Sequence, residues 1–475
     1  MILVILWDGL RPDTISAQDT PNLHKMAAGG VICRSSHSVF PTATRLNSAS
    51  LTTGCYPRQH GLVANALYVP GINPNGQVTC GDWNVLRRLA ELEGGPVLHT
   101  PTLGQMLKPG GKKAAFCGSG STGTSYLSDP AATGPVVNWS TAWPAKVRED
   151  ILRSRGSFLG SETTRLERSR FVVEIAEGYI LPEHKPDVLT VWLAEPDHTQ
   201  HVSGLGSPQV KTMLKELDDV LAAFLTAVKR DCGEENLTCL FLSDHGFNTI
   251  TERVDPNERL AQAGLKESAE STEIVFSASN IYLNTSRAKD SLADVVSFLK
   301  DEPWVGGIFL RQDLLDACPG MMAQSAVFSG SHPRSAEITI SFRWSADENS
   351  HGIPGSVASS SKNIASHGSA SPFAVNNTFL AWGAGIKKGV VSAVPCGTVD
   401  VAPTVLHLLG QPQPTHTDGR ILHELLAAGP APDSVGVVGE TRECSYESKG
   451  RALRQIANYS VVDGHRYLDN IVLDG

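Results

Sequence analysis

Four short apolar runs stop abruptly at polar residues, and this pattern constrains the fold more than any other feature. Ile2 to Trp7 ends at Asp8-Gly9, and Val188 to Ala194 ends at Glu195-Pro196-Asp197. Cys239 to Leu242 ends at Ser243-Asp244-His245-Gly246, and Thr378 to Trp382 ends at Gly383-Ala384-Gly385. Runs this short and this apolar read as strands buried on both faces. Helical patterns separate them; residues 208–230 carry Val210, Leu214, Leu217, Leu221 and Leu225 at helical spacing. Strands alternating with helices predict an α/β fold with a largely parallel sheet. Ligands of such sheets gather at the carboxyl ends of the strands. Three of the four ends carry Asp8, Asp197 and the pair Asp244-His245.

The chain has 475 residues, a length that suits one α/β catalytic domain (1–475) with elaborated loops. Residues 69–183 and 252–366 read as two insertions that form a cap and choose the substrate. The first holds a Gly/Ser/Thr stretch, Gly118 to Thr124, that reads as a flexible loop. The second holds strand-like runs at Ser277 to Leu283 and Glu337 to Phe342. Val401 to Leu409 reads as a helix stopped by Gly410, with a short C-terminal region after it.

No run of 18 apolar residues occurs, so no membrane span is expected. The net charge of −9 is spread along the chain, without the basic stripe that nucleic-acid binding requires. Nine cysteines without a C-x-x-C pair read as thiols in a reducing compartment. The opening run lacks the basic start and cleavage site of a signal peptide, which points to a cytoplasmic protein or a trimmed leader. Five N-x-S/T sequons, at Asn138, Asn236, Asn284, Asn376 and Asn458, pull the other way. No motif sets an oligomeric state.

Taken in order, the acids and histidines are Asp8, Asp197 with His201, Asp244 with His245, and His367. Carboxylate and neutral imidazole suit Zn²⁺, with Mn²⁺ or Fe as alternatives. Six such side chains suffice for two metals at three each, and a hydroxyl could add a seventh ligand. The stretch Phe40 to Pro57 reads as a strand end entering a helix. A threonine there, Thr42 or Thr44, would sit where backbone N–H groups and the helix dipole favour anions.

Several motifs then stand in one order: Asp8-Gly9, Pro41-Thr42-Ala43-Thr44, Thr53-Gly54-Cys55-Tyr56-Pro57-Arg58-Gln59-His60-Gly61 and Asn65. Glu195-Pro196-Asp197 with His201, Ser243-Asp244-His245-Gly246, Ser366-His367-Gly368 and Val399-Asp400-Val401-Ala402-Pro403-Thr404 follow. Together they resemble the type I phosphodiesterase/nucleotide pyrophosphatase family of the alkaline phosphatase superfamily, across residues 2–422. The resemblance implies a three-layer α/β/α core with a central, mostly parallel sheet and inserted cap segments. It implies two Zn²⁺ ions, one held by Asp8, Thr44, Asp244 and His245, the other by Asp197, His201 and His367. Thr44 would attack phosphorus and form a phosphothreonine, which a water on the second metal would hydrolyse. Asn65 would hydrogen-bond a non-bridging phosphoryl oxygen.

Spacing to Thr53-Gly54 favours Thr44 over Thr42 as nucleophile. His351-Gly352 competes with His367-Gly368, but Ser371-Pro372 and the strand at Thr378 follow His367 as the resemblance requires. His60 and His198 read as supporting residues. The chain departs from the family where Phe-Pro-Asn commonly follows the nucleophile, since Arg45-Leu46-Asn47 stands there. Arg45 either attracts a second anionic group or is a surface or capping arginine; with Asn65 and Tyr68 it makes up the expected substrate contacts. The expected substrate is a small-molecule phosphodiester. A phosphonoacetate-type C–P hydrolase, a phosphomonoesterase and a metal-stabilised binding protein are the alternatives. A sulfatase would need a C/S-x-P-x-R motif, which is absent.

Overall fold

The computed structural model describes residues 1–330 and 332–474. Nine strands make the main sheet: β1 (Ile2–Trp7), β2 (Val31–Cys33), β3 (Ala114–Gly118), β4 (Val136–Asn138), β5 (Thr141–Trp143), β6 (Val188–Leu193), β7 (Thr238–Leu242), β8 (Phe379–Gly383) and β9 (Val390–Ser392). Their spatial order is β9-β2-β8-β7-β1-β6-β3-β4-β5. β1 lies between β6 and β7, parallel to both, with Trp7 opposite Leu193 and Leu6 opposite Leu242. The three strands therefore end level. β8 runs antiparallel between β7 and β2, and β5 antiparallel to β4.

Alternation along β1 sends Leu3, Ile5 and Trp7 into one core and Ile2, Val4 and Leu6 into another. Helices α1 (Pro21–Gly29) and α4 (Pro208–Cys232) cover the first face, α2 (Thr44–Thr53) and α5 (Val401–Leu408) the second. The result is the three-layer arrangement. The short helix α3 (Asp197–Ser203) follows β6 directly. Proline opens α4 where its missing N–H is harmless, and the Ser207 hydroxyl accepts from Val210 N at 3.3 Å.

Several expectations need correction. Residues 69–183 are not an appended cap, because they supply β3, β4 and β5 to the main sheet. β4 and β5 have three residues each, too few to show a period. Gly118 to Thr124 is not a free loop: Gly118 closes β3, and Ser121 caps the helix Thr122–Ser128 through Thr124 N at 3.1 Å. Ser277 to Leu283 is not one strand but the middle of a hairpin, Ile274–Ser277 against Asn280–Leu283. That hairpin joins Val305–Leu310, Met322–Ala323 and Ile338–Phe342 in a separate five-stranded sheet. The C-terminal region forms a three-stranded antiparallel sheet, Val438–Ser448, Arg451–Val462 and His465–Asp474.

The C-terminal sheet clasps the core through buried polar contacts. His37 reaches Asp469 Oδ1 at 2.8 Å, and Tyr56 donates to the Arg466 carbonyl at 2.8 Å. The Tyr467 hydroxyl donates to Asp400 at 2.9 Å and accepts from Arg420 Nε at 3.1 Å. Arg420 also forks onto Glu424 at 2.5 and 2.9 Å. Both partners are almost fully buried. Removing one member of such a pair strands the other charge. Arg420→Met should therefore cost about 3–5 kcal/mol in urea unfolding, and Arg420→Met/Glu424→Leu should recover most of that loss.

Candidate functional site

Level strand ends bring the acids together. Asp8 follows β1, Asp197 opens α3 after β6, and Asp244-His245 follow β7. Gly9 makes the turn at φ +69°; a Cβ there would lie 3.0 Å from the Phe247 ring and 3.3 Å from Asp197 Cβ. That explains the Asp-Gly pair, since only glycine takes this conformation without strain. The Gly9 N–H donates to Asp244 Oδ1 at 3.0 Å, tying the two strand ends.

Six side chains converge. His245 Nε2 lies 3.5 Å from Asp8 Oδ1 and 3.2 Å from Asp244 Oδ2. Asp197 Oδ1 lies 3.4 Å from His201 Nε2 and 3.5 Å from His367 Nε2. The His245 and His367 rings stack at 3.7 Å. Asp197 joins both metal-competent groups, one with His201 and His367, the other with Asp8 and His245, so the two halves of the cluster share a carboxylate. Thr44, the first residue of α2, places Oγ1 3.3 Å from His245 Nε2.

The donor set fits divalent cations on two independent observations. Asp8 Oδ1, Asp197 Oδ1 and Asp244 Oδ2 are buried without a hydrogen-bond partner among the described residues. Such orphaned oxygens are costly unless an ion or donor satisfies them. Each histidine also spends Nδ1 on a backbone carbonyl: His201 on Ala365 at 2.7 Å, His245 on Gly246 at 2.9 Å and His367 on Thr42 at 2.8 Å. A carbonyl only accepts, so Nδ1 carries the proton and every Nε2 presents a lone pair to the cluster.

Electrostatics follow from burial. Burial pushes the Asp8 carboxyl well above its ordinary value; the charges of Asp244 and Asp197 add to this, and the Trp192 N–H and Arg45 oppose it. Burial also raises Asp244, against the pull of His245. Burial lowers His245, and drives His367 well down with help from His245 and His201. Neutral imidazole is the form that binds metal. Glu195, beside the cluster, is raised to about 7 by burial, partly offset by the Thr199 N–H.

Asn65 is held by the residue after Thr44: its Oδ1 accepts from Arg45 N at 3.0 Å, which leaves the amide N–H₂ for a ligand. Asn65, Ala43, His367 and Ser360 line a cleft of about 240 Å³. Tyr68 is not brought to this cleft; its hydroxyl donates to the Pro74 carbonyl, and its ring packs near Tyr282. Thr42 is consumed structurally, donating to the Ser369 carbonyl and accepting from Gly368 N, both at 2.9 Å. His351 is exposed and packs against Gly206. His60 is buried and bonded to Ser50, and His198 is exposed. Two sequons are engaged: Asn138 is buried and donates to Gly120 O and Ser125 Oγ, and Asn376 donates to Arg34 O.

The sequence reading missed Trp192, whose indole N–H donates to Asp8 Oδ2 at 3.1 Å and orients the other oxygen inward. Trp192 stands opposite Leu6. A tryptophan at the second-last position of a buried strand is the signal that could have pointed to it. Gln200, which donates to the Gly9 carbonyl at 2.9 Å, was also missed.

Residues 2–352 match the sequence model of the type I phosphodiesterase/nucleotide pyrophosphatase family. The chain is 26% identical over 253 residues to a venom phosphodiesterase of Naja atra, covering 53% of this chain and 26% of that protein. It is 25% identical over 252 residues to human ectonucleotide pyrophosphatase/phosphodiesterase family member 7, covering 53% of this chain and 49% of that protein. The matched stretch therefore spans only a quarter to a half of these relatives. In structure, the chain resembles the alkaline phosphatase PafA with a TM-score of 0.70 at 18% identity, over 90% of this chain and 98% of that one. It resembles murine ectonucleotide pyrophosphatase/phosphodiesterase 5 with a TM-score of 0.61 at 17% identity, over 90% and 100%. These two likenesses establish the shared fold.

The orphaned oxygens generate a test that needs no substrate. In calorimetry, Zn²⁺ at 1,000 times its Kd should stabilise the wild type by about 4 kcal/mol. Asp197→Asn should lose most of that gain. Asp8→Asn removes a buried unpaired charge, so the metal-free variant should melt above the metal-free wild type.

Proposed function

Because the chain belongs to the type I phosphodiesterase/nucleotide pyrophosphatase family of the alkaline phosphatase superfamily, we propose that it hydrolyses phosphodiester bonds of a small-molecule substrate, with Thr44 as nucleophile. The observation that carries this reading is a threonine hydroxyl at a helix N-terminus, 3.3 Å from a histidine of a cluster in which Asp8, Asp197 and Asp244 each keep a buried oxygen without a partner among the described residues.

Asp8, Thr44, Asp244 and His245 would hold one cation and Asp197, His201 and His367 a second; Zn²⁺ suits these N/O donors, with Mn²⁺ or Fe as alternatives. Bound dications would supply Lewis-acid stabilisation of the charge on the phosphoryl group and would lower the pKa of a coordinated hydroxyl. The chain's own residues do the rest. Thr44 Oγ1 attacks phosphorus in line, the ester bond to the leaving alcohol breaks, and a phosphothreonine forms. Water then cleaves the phosphothreonine, returning the hydroxyl and releasing a phosphomonoester. Asn65, pinned by Arg45 N, presents its amide N–H₂ to a non-bridging oxygen as charge builds there. The α2 N-terminus adds its dipole to the same anion. Trp192 fixes the Asp8 carboxylate, and the three backbone carbonyls fix the imidazoles.

Nine unpaired cysteines support a reducing, cytoplasmic setting. No helix among the described residues is long and apolar enough to cross a membrane.

The reading is tested with bis-p-nitrophenyl phosphate in the presence of Zn²⁺. Wild type should release p-nitrophenol, and Thr44→Ala should lose at least about 10³-fold in kcat/KM. Asn65→Ala should lose about 10²–10³-fold, mainly in kcat. Full activity in Thr44→Ala would refute the proposed nucleophile.

A further inference from the structure

Resting on the diesterase reading, we propose that Arg45 selects substrates carrying a second oxyanion, phosphoryl or carboxylate, next to the reacting phosphorus. Arg45 directly follows Thr44, and its backbone N–H already holds Asn65. Its side chain, by contrast, is unspent. Nε is buried without a partner, and the guanidinium makes no hydrogen bond or ion pair among the described residues. Arginine presents five N–H donors in a rigid fork that matches an oxyanion in bidentate fashion. A half-buried fork whose buried Nε has no partner is a binding group available to a ligand.

Its contacts place this group beside Asn65. Nη2 lies 2.9 Å from where a Cβ on Gly81 would stand, so the missing side chain at Gly81 makes its room. Cys80, the neighbour of Gly81, donates its N–H to the Asn65 carbonyl at 2.9 Å. The guanidinium thus rests against the turn that follows the hairpin strand Gln77–Thr79, alongside Asn65. An anion held there belongs to a neighbouring group of the substrate rather than to the phosphoryl oxygens that Asn65 faces. The guanidinium also acts on Asp8, His245 and His367 through space. A purely electrostatic supporting role would follow from that alone, and it would affect every substrate equally.

Four p-nitrophenyl substrates separate these roles: bis-p-nitrophenyl phosphate with one charge, di-p-nitrophenyl diphosphate, the p-nitrophenyl ester of phosphonoacetate, and p-nitrophenyl phosphate with both charges on one phosphorus. Wild type should prefer the diphosphate or the phosphonoacetate ester to bis-p-nitrophenyl phosphate, and the preferred one identifies the second oxyanion as phosphoryl or carboxylate. In Arg45→Met that preference, as a ratio of kcat/KM, should fall at least tenfold, mostly through KM. Arg45→Gln, of similar length and polar, should show the same fall and decides the matter if the Met variant does not fold. An unchanged ratio, or a fall seen only with p-nitrophenyl phosphate, overturns the proposal. A wild type active on the diesters whose variants lose all esters equally overturns it alone. A wild type inert toward every ester overturns the diesterase reading, and this one with it.

Discussion

The site depends on the register of three parallel strands. β6, β1 and β7 end level, so the acids that follow them meet in one buried volume. Their mutual repulsion is large in a low-dielectric interior, and neighbouring histidines kept neutral by burial cannot offset it. The apolar sheet and its two helix layers hold together what the charges would separate. A bound cation would relieve this conflict, and the orphaned oxygens are the groups it would satisfy.

Around that cluster the orienting contacts are mostly backbone. Three imidazoles are aimed by carbonyls of Thr42, Gly246 and Ala365, and Asp244 by the Gly9 N–H. Backbone groups are indifferent to side-chain identity, which lets such a centre persist while its surroundings diverge. Trp192 is the exception, since its indole N–H selects which Asp8 oxygen faces inward. The candidate nucleophile comes from a separate element, α2, whose Leu51 packs in the same core as Leu6 and Leu242.

Much of this was legible in the sequence because buried parallel strands are short apolar runs whose ends are marked by the residues that must leave the core. Ile2–Trp7 matched its predicted bounds, and the Pro208 helix extended only two residues further, to Cys232. Legibility failed where elements were too short or where contacts were distant. β4 and β5 have three residues each, and the hairpin turns at Ala278-Ser279, inside the stretch read as one strand. The C-terminal sheet mixes exposed and buried faces within long strands, so its pattern carried no clear period. Asp8, Thr44, Asp197, His201, Asp244, His245 and His367 were named from motifs in order, and the structure gathers them; Tyr68 was named with them, yet lies outside the cleft. The orientation of Asn65 by Arg45 N was invisible, because a backbone donor leaves no mark on the sequence.

The clasp formed by the last three strands bears on how the chain is made. Residues 37 and 56, on either side of Thr44 in the chain, are secured by residues 469 and 466, more than 400 positions downstream. A ribosome delivering the chain from its N-terminus releases Asp8 and Thr44 long before His367 or Tyr467 exist. Until residues 188–245 emerge, Asp8 stands without its histidines and β1 without either parallel neighbour. The half-made sheet exposes unpaired edges of almost wholly apolar residues. Synthesis is then the stage at which the apolar edges of this sheet are least protected.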